Sequence, residues 1–251
     1  MAISATHYRL LRLLAKERQI FPPKPSILEI GEANWYGDAD PKIILEDADP
    51  ADRAALEYYI NVALQQENGL YDIAKLVYKV LLGTTETAAF DLDGTRHARL
   101  VNLNYPTLDH YTYDVVYNHG TLEHIFDIAQ ALKTIHDACV VGGLMIHEAP
   151  FHGWLDHGFY NLQPTLFYDL ADANNYEVVA VFLEHIEGGI TQEVYNRDQM
   201  HELIQHKHVI PGMMLFVVLR KQHNRPFAKP MQAVYDKRLS EAGNQTWREA
   251  R

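Results

Sequence analysis

The 251-residue chain has little of several features that define common protein classes. It contains one cysteine, Cys139, so no disulfide forms within the chain, and a lone thiol in an apolar stretch is typical of a core residue in a reducing compartment. No apolar run approaches the roughly 20 residues needed to span a bilayer. The first twenty residues alternate charge with leucine, unlike the apolar core of a signal peptide. We therefore expect a cytoplasmic protein without a membrane partner.

Positive charge is also scarce. The chain has 22 Lys and Arg against 33 Asp and Glu, which gives a formal net charge of -11. A protein that follows a nucleic-acid backbone normally carries a basic face, so we expect no nucleic-acid partner. Hydrophobic residues make up 47 % of the chain, which is enough for a substantial core in one α/β domain.

Strand-like and helix-like segments alternate along the chain. Short apolar runs predict seven strands, at 26–30, 87–91, 99–103, 113–118, 144–147, 176–183 and 213–219. Apolar residues at helical spacing predict helices at 7–18, 71–82 and 163–174, one between Asp49 and Asn68, and one from Thr121. This alternation predicts a Rossmann-like α/β fold, with a mostly parallel seven-stranded sheet covered by helices on both faces. The last strand is expected at a sheet edge, where it could support a homodimer.

The run at 42–47 resembles a further strand. The residues between the first strand and this run are too few, and too rich in Gly, Asp and Pro, to form a crossover helix. We therefore expect a helical insertion at 35–68, which begins beside the predicted ligand site and forms a lid or part of a substrate pocket. Residues 222–251 are expected to extend a single domain that spans 1–251.

Candidate site residues follow the predicted strands, because ligands of such sheets bind beyond the carboxyl ends of the strands. Gly31 follows the first strand and allows close approach of the backbone to a ligand. Asp91 ends the second strand, and its carboxylate can accept bonds from both hydroxyls of a ribose, although D-x-D-G equally suits a plain turn. The complete G-x-G-x-x-G fingerprint is absent, which disfavours a nicotinamide cofactor.

Histidines are frequent after the fourth and fifth strands. Histidine titrates near neutral pH and is a common general base. The segment after the fifth strand also holds possible metal ligands, at His147, Glu148, His152, Asp156 and His157. Their spacing matches no zinc motif, so we predict no metal site.

Four segments together resemble class I S-adenosylmethionine-dependent methyltransferases. They are LEIG at 28–31, the acid that ends the second strand, YDVVYNHGTLEHIFD at 113–127 and VGGLMIHEAP at 141–150. The resemblance spans roughly residues 26–185 and the last strand. The stretch HGFYNLQPTLFYDLADANNYE at 157–177 is similar to a bacterial subgroup found near surface-polysaccharide or secondary-metabolite genes.

The resemblance implies S-adenosylmethionine as cofactor. The positions that it implies for binding are Glu29, Gly31, Ala33, Asn34, Asp91, Leu92, Asn102, Leu103, Asn118, His119, Gly120 and His124. Ala33 stands where the family has a second glycine. The interval from Gly31 to Asp91, about sixty residues, far exceeds the roughly 20 that are usual in such units.

The implied activity is O- or N-methylation of a small-molecule or sugar-type acceptor. Such a reaction requires an aligned acceptor and, for a hydroxyl or an ammonium, a base. The candidate bases are His147, His157 and His119, with Glu148 orienting one of them. Aromatic side chains could form the wall of the acceptor pocket, namely Trp35, Tyr36, Trp154, Phe159 and Tyr160. Two alternatives remain: a cofactor-binding partner without catalysis, and a metal-dependent hydrolase or lyase that uses the 147–157 cluster.

Overall fold

A computed structural model describes residues 1–107, 111–185, 189, 191–236 and 238–249. Its strands are β1 (Ala2–Ile3), β2 (Ile27–Ile30), β3 (Asn34–Trp35), β4 (Thr87–Asp91), β5 (Ala98–Leu100), β6 (Tyr113–His119), β7 (Cys139–His152), β8 (Glu177–His185), β9 (Thr191–Glu193) and β10 (Met213–Arg220). Strands β1 and β3 form a small parallel pair. The other eight form one sheet in the order β5-β4-β2-β6-β7-β10-β8-β9.

The sheet has the predicted Rossmann-like arrangement. Neighbouring strands from β5 to β7 are parallel, and in chain order they run 3-2-1-4-5 across the sheet. Strand order therefore reverses between β2 and β6, which is where doubly wound sheets bind ligands. The sheet has one strand more than expected, because β9 pairs with β8.

Helices cover both faces of this sheet. They are α1 (Ala5–Arg12), α2 (Arg53–Ala63), α3 (Gly69–Leu82), α4 (Ile128–Ala138), α5 (Pro164–Asn174), α6 (Arg197–Gln205), α7 (Ala233–Asp236) and α8 (Glu241–Glu249). Successive residues of β7 alternate between two apolar cores, since strand side chains have a period of two. Leu144 and Ile146 pack with α1 and α3, whereas Met145 and Ala149 pack with α4 and α5. No described helix is long and apolar enough to cross a membrane.

The predicted insertion contains helical structure. Residues Pro41–Glu46 form a 3-10 helix, so the prediction that 42–47 is not a strand is confirmed. Helix α2 follows, and α3 ends at Gly83, which has a φ of 69°. That left-handed conformation favours glycine, as the sequence indicated.

Two sequence predictions about the second half are wrong. No long helix begins at Thr121, because the Asn118 side chain accepts the N–H groups of Thr121 and Leu122 and holds a 3-10 turn there. Helix α4 begins only at Ile128, where the Asp127 side chain accepts the Gln130 N–H.

The second wrong prediction is the position of the last strand, which is not at an edge of the sheet. Strand β10 lies between β7 and β8, so it cannot pair with a second copy of the chain.

Candidate functional site

The loop after β2 turns sharply at Gly31. This residue has a φ of 79°, and its N–H donates to the Phe90 carbonyl over 2.7 Å. A side chain there would collide with the Thr121 hydroxyl and would lie 2.6 Å from Cγ of Met1. The Thr121 hydroxyl donates to the Ile30 carbonyl and is thereby fixed in place. Strands β2 and β6 thus meet closely at the switch point, and only a residue without a side chain fits there.

We expect Gly31→Ala to be much more destabilising than Gly37→Ala. Both residues have a positive φ, and Gly37 has nothing near the position of a new side chain. The left-handed conformation lowers the free energy of unfolding of each variant by about 1–2 kcal/mol. Overlap with Thr121 lowers it by about 2 kcal/mol more in Gly31→Ala alone. Urea unfolding measures the difference. Equal losses in the two variants would show that the contact with Thr121 is unimportant.

Asp91 lies at the carboxyl end of β4, beside the Gly31 loop. Its Oδ2 accepts the Glu32 N–H over 2.8 Å, and its Oδ1 accepts the Asp93 N–H over 3.1 Å. An ionised carboxylate has about four lone-pair sites, so each oxygen can accept a further bond. Asp91 therefore shapes the turn and can still receive two hydroxyl groups.

Glu29 lies beneath this loop and is fully buried. Its carboxylate accepts bonds from the Tyr78 hydroxyl (2.8 Å) and the Ala33 N–H (3.2 Å), and it forms an ion pair with Lys75. Glu29, one of the positions that the resemblance implies for cofactor binding, is thus held by side chains of α3.

His119, at the end of β6, belongs to the same buried network. Its Nε2 lies 2.7 Å from the Tyr78 hydroxyl, and its ring stacks on Tyr117 with centroids 3.5 Å apart. Because the Tyr78 hydroxyl donates to Glu29, the His119 Nε2–H donates to Tyr78. Burial and the positive charges of His7 and Lys75 lower the pKa of His119 well below its usual value. The ring is neutral at physiological pH.

An acidic side chain between two histidines lies next to Gly120. Glu123 is 1 % exposed, and its Oε1 lies 3.9 Å from His124 Nε2 and 3.8 Å from His157 Nε2. The position of a Cβ on Gly120 would be 3.1 Å from the same oxygen. The other carboxylate oxygen of Glu123 has no hydrogen-bond partner among the described residues. Burial raises the pKa of Glu123 to about 7.

The loop after β7 is anchored on this acidic residue. The Phe159 N–H donates to the Glu123 carbonyl over 2.8 Å, and a side chain on Gly158 would collide with the same carbonyl. The ring of Trp154 lies 5.1 Å from that of His157. His124 and His157 are 46 % and 40 % exposed, so the group opens to solvent on one side.

Solved structures with a similar fold are methyltransferases. A candidate methyltransferase from Bacillus halodurans matches with a TM-score of 0.51 at 8 % identity, over 87 % of this chain and 100 % of that one. The fold is that of class I methyltransferases. An S-adenosylmethionine-dependent methyltransferase from Mesorhizobium loti matches with a TM-score of 0.48 at 12 % identity, over 86 % of this chain and 98 % of that one. No protein-family model and no curated protein matches the sequence.

The structure shows where several predicted site residues lie within this methyltransferase fold. Gly31, Asp91, Gly120, His124 and His157 lie at the strand ends or beside them. Four other predicted positions lie in different surroundings. Leu92 is 68 % exposed, Leu103 is in the core, Asn102 is exposed and bonds to Asn104, and Asn118 serves to close the turn after β6.

Asn34 and the predicted wall residue Trp35 belong to the small β1–β3 pair rather than to an open pocket. The backbone of Asn34 pairs with Ala2. Trp35 is buried and donates from Nε1 to the Ala39 carbonyl. Tyr36 and Phe159 are exposed. Trp35 therefore does not form part of the predicted wall of the acceptor pocket.

His147 and Glu148 do not act together, because they point to opposite faces of β7. His147 packs against the Phe167 ring in the α4–α5 core, and burial lowers its pKa to about 3. Glu148 instead faces α1 and contacts His7, a histidine that the sequence did not single out.

The sequence analysis also missed Glu123 as a site residue. The sequence predicts a helix from Thr121, in whose first turn an acid is merely stabilising, and that helix is absent. The segment GTLEH did contain the signal, since it places the acid between Gly120 and a histidine.

Proposed function

We propose that the protein transfers a methyl group from S-adenosylmethionine to oxygen or nitrogen of a small-molecule or sugar-type acceptor. The observation that carries the proposal is the position of Glu123, a carboxyl group with a pKa of about 7 beside Gly120 at the end of β6. When bound, the cofactor supplies an electrophilic methyl group. The protein must hold the acceptor in line and accept its proton.

Three strand ends fit the cofactor. Gly31 and Gly120 both adopt a positive φ at the strand ends where strand order reverses. Asp91 retains the lone pairs needed to accept two ribose hydroxyls. Glu29, which is fully buried and bonded to Lys75 and Tyr78, supports the loop from below and does not contact the cofactor in this proposal.

Glu123 is the proposed general base. A carboxyl group with a pKa near 7 is about half ionised at neutral pH, which is the range in which a general base is most effective. Its Oε1, which faces Gly120 and the two histidines, can accept a proton from an acceptor hydroxyl or ammonium. His124 and His157 lie on the solvent side and can pass that proton to water.

The insertion at 35–68 is proposed to act as a lid. Helix α2 borders a groove of about 630 Å³ that reaches Glu32, the residue after Gly31. Tyr59 of α2 and Tyr71 of α3 line it, and Arg96 and His97 lie opposite. This volume is within the usual range for small-molecule sites.

Cofactor binding is tested by calorimetric titration with S-adenosylmethionine and S-adenosylhomocysteine. We expect Asp91→Ala to weaken binding by about 10- to 100-fold, since hydrogen bonds to a charged group contribute roughly 1.5–3 kcal/mol. Asp93→Ala is the matched control, because Asp93 is exposed in the same turn. Thermal unfolding checks that both variants are folded. Absence of binding to the wild type, or equal binding by the two variants, contradicts the proposal.

A further inference from the structure

The amino-terminal helix places a histidine between two buried glutamates. His7 lies in the first turn of α1, Glu148 near the end of β7 and Glu184 near the end of β8. The His7 Nε2 is 2.8 Å from Glu184 Oε1 and is also in contact with Glu148 Oε1. All three residues are at most 4 % exposed.

Hydrogen bonding within the protein leaves this group unsatisfied. A single hydrogen on Nε2 faces two carboxylate oxygens, and the second oxygen of Glu148 and that of Glu184 have no partner among the described residues. Two buried carboxylates therefore share one imidazole. Buried charges normally are paired or coordinate metals.

A fourth polar group lies beside the three. The Tyr117 hydroxyl is buried and has no hydrogen-bond partner among the residues described. Burial raises its pKa, and so do the negative charges of Glu148, Glu184 and Glu29. His7 and Tyr117 both pack against Phe216, with ring centroids 6.3 and 6.2 Å away. The hydroxyl is therefore available to a ligand of the carboxylates.

We propose that His7, Glu148 and Glu184 bind a divalent transition-metal ion. One imidazole and two carboxylates are ligands suited to Zn²⁺ or Mn²⁺, and two carboxylates neutralise the charge of such an ion. The three ligand atoms lie within 4.8 Å of one another. A cation at about 2.1 Å from each would hold them roughly 3–3.5 Å apart, so only small shifts are needed.

The second ring nitrogen of His7 is held by the backbone at the start of α1. Its Nδ1 accepts the Ser4 N–H over 3.2 Å, and the Ala2 backbone also bonds to the ring. Metal binding uses the Nε2 lone pair, so the ring proton must then lie on Nδ1, where the Ala2 carbonyl can accept it. The ion would join α1 to β7 and β8, and would thereby fix Met1 over Gly31.

Zinc titration of the metal-stripped full chain tests this proposal. We expect one Zn²⁺ per chain and a rise in the thermal midpoint, because an ion that binds only the folded state stabilises it. Glu184→Gln should weaken Zn²⁺ binding by about 100-fold or more. Glu177→Gln, an exposed position at the start of β8, is the control and should bind as the wild type does.

A second variant separates this site from the other group of possible ligands, Glu123, His124 and His157. His157→Ala should leave Zn²⁺ binding unchanged. If Glu184→Gln fails to fold, His7→Gln provides the same comparison, and the Co²⁺ absorption spectrum of the wild type reports directly on nitrogen and oxygen ligands. Absent stoichiometric binding, or binding that is lost in His157→Ala and kept in Glu184→Gln, overturns the proposal. Mn²⁺ and Mg²⁺ titrations distinguish a transition-metal site from one that accepts any divalent ion.

Discussion

Replacing Glu123 with glutamine should reduce kcat about 100- to 1,000-fold and leave the affinity for S-adenosylmethionine nearly unchanged. The amide keeps the size of the side chain but cannot accept a proton, and general base catalysis contributes roughly 10²–10⁴-fold. Release of S-adenosylhomocysteine, measured with a panel of sugars, phenols and amines, gives the rate. Glu202→Gln is the control, since Glu202 is an exposed residue of α6.

The pH profile distinguishes a base from a structural residue. Glu123 must be ionised to act, so kcat/KM of the wild type should rise with pH and level off above about 7. In Glu123→Gln the residual rate should lose most of this rise, because the amide does not titrate. An unchanged pH profile in the variant would exclude Glu123 as the base, whatever the size of the rate loss.

Replacing Lys75 with methionine should destabilise the protein by about 3–5 kcal/mol. The change leaves Glu29 fully buried without its cation, and a buried charge that loses its partner is costly. Methionine preserves most of the apolar length of lysine, so lost packing contributes little. The free energy of unfolding in urea measures the effect. Lys79→Met, one turn later on the exposed side of α3, should change stability by less than about 0.5 kcal/mol.

A double variant identifies the cause of that loss. Glu29→Gln in the Lys75→Met background removes the unpaired charge, and we expect it to recover most of the stability. If Lys75→Met alone matches Lys79→Met, the ion pair does not stabilise the fold. If the double variant is no more stable than Lys75→Met, lost lysine packing is the cause instead.

The sequence predicted those elements whose pattern is local. Strands β2, β4 and β6 are short apolar runs, and α3 shows helical spacing up to a glycine. The turn after β6 was missed because it depends on distant atoms. Asn118 bonds to the Glu148 carbonyl of β7, and Glu123 is buried only because Phe159 and Gly158 pack on its backbone.

The opposite orientation of His147 and Glu148 follows from the length of β7. The apolar run ends at 147, which predicts a loop from Glu148 onward. In the structure the strand continues to His152, because β10 pairs with it from Leu144 to His152. Alternation along the strand then separates the two side chains. The contact between His7 and Glu184 joins residues 177 positions apart, and no local pattern indicates it.

The two outer strands of the eight-stranded sheet are each three residues long, which limits aggregation through the edges of the sheet. Strands β5 and β9 offer another chain only a short row of free backbone groups. The most apolar strand, MMLFVVL of β10, would be a strong template for cross-β pairing if exposed, but it lies two strands in from the nearer edge. Short edges with a protected centre are a means by which sheet proteins avoid recruiting further copies at high concentration.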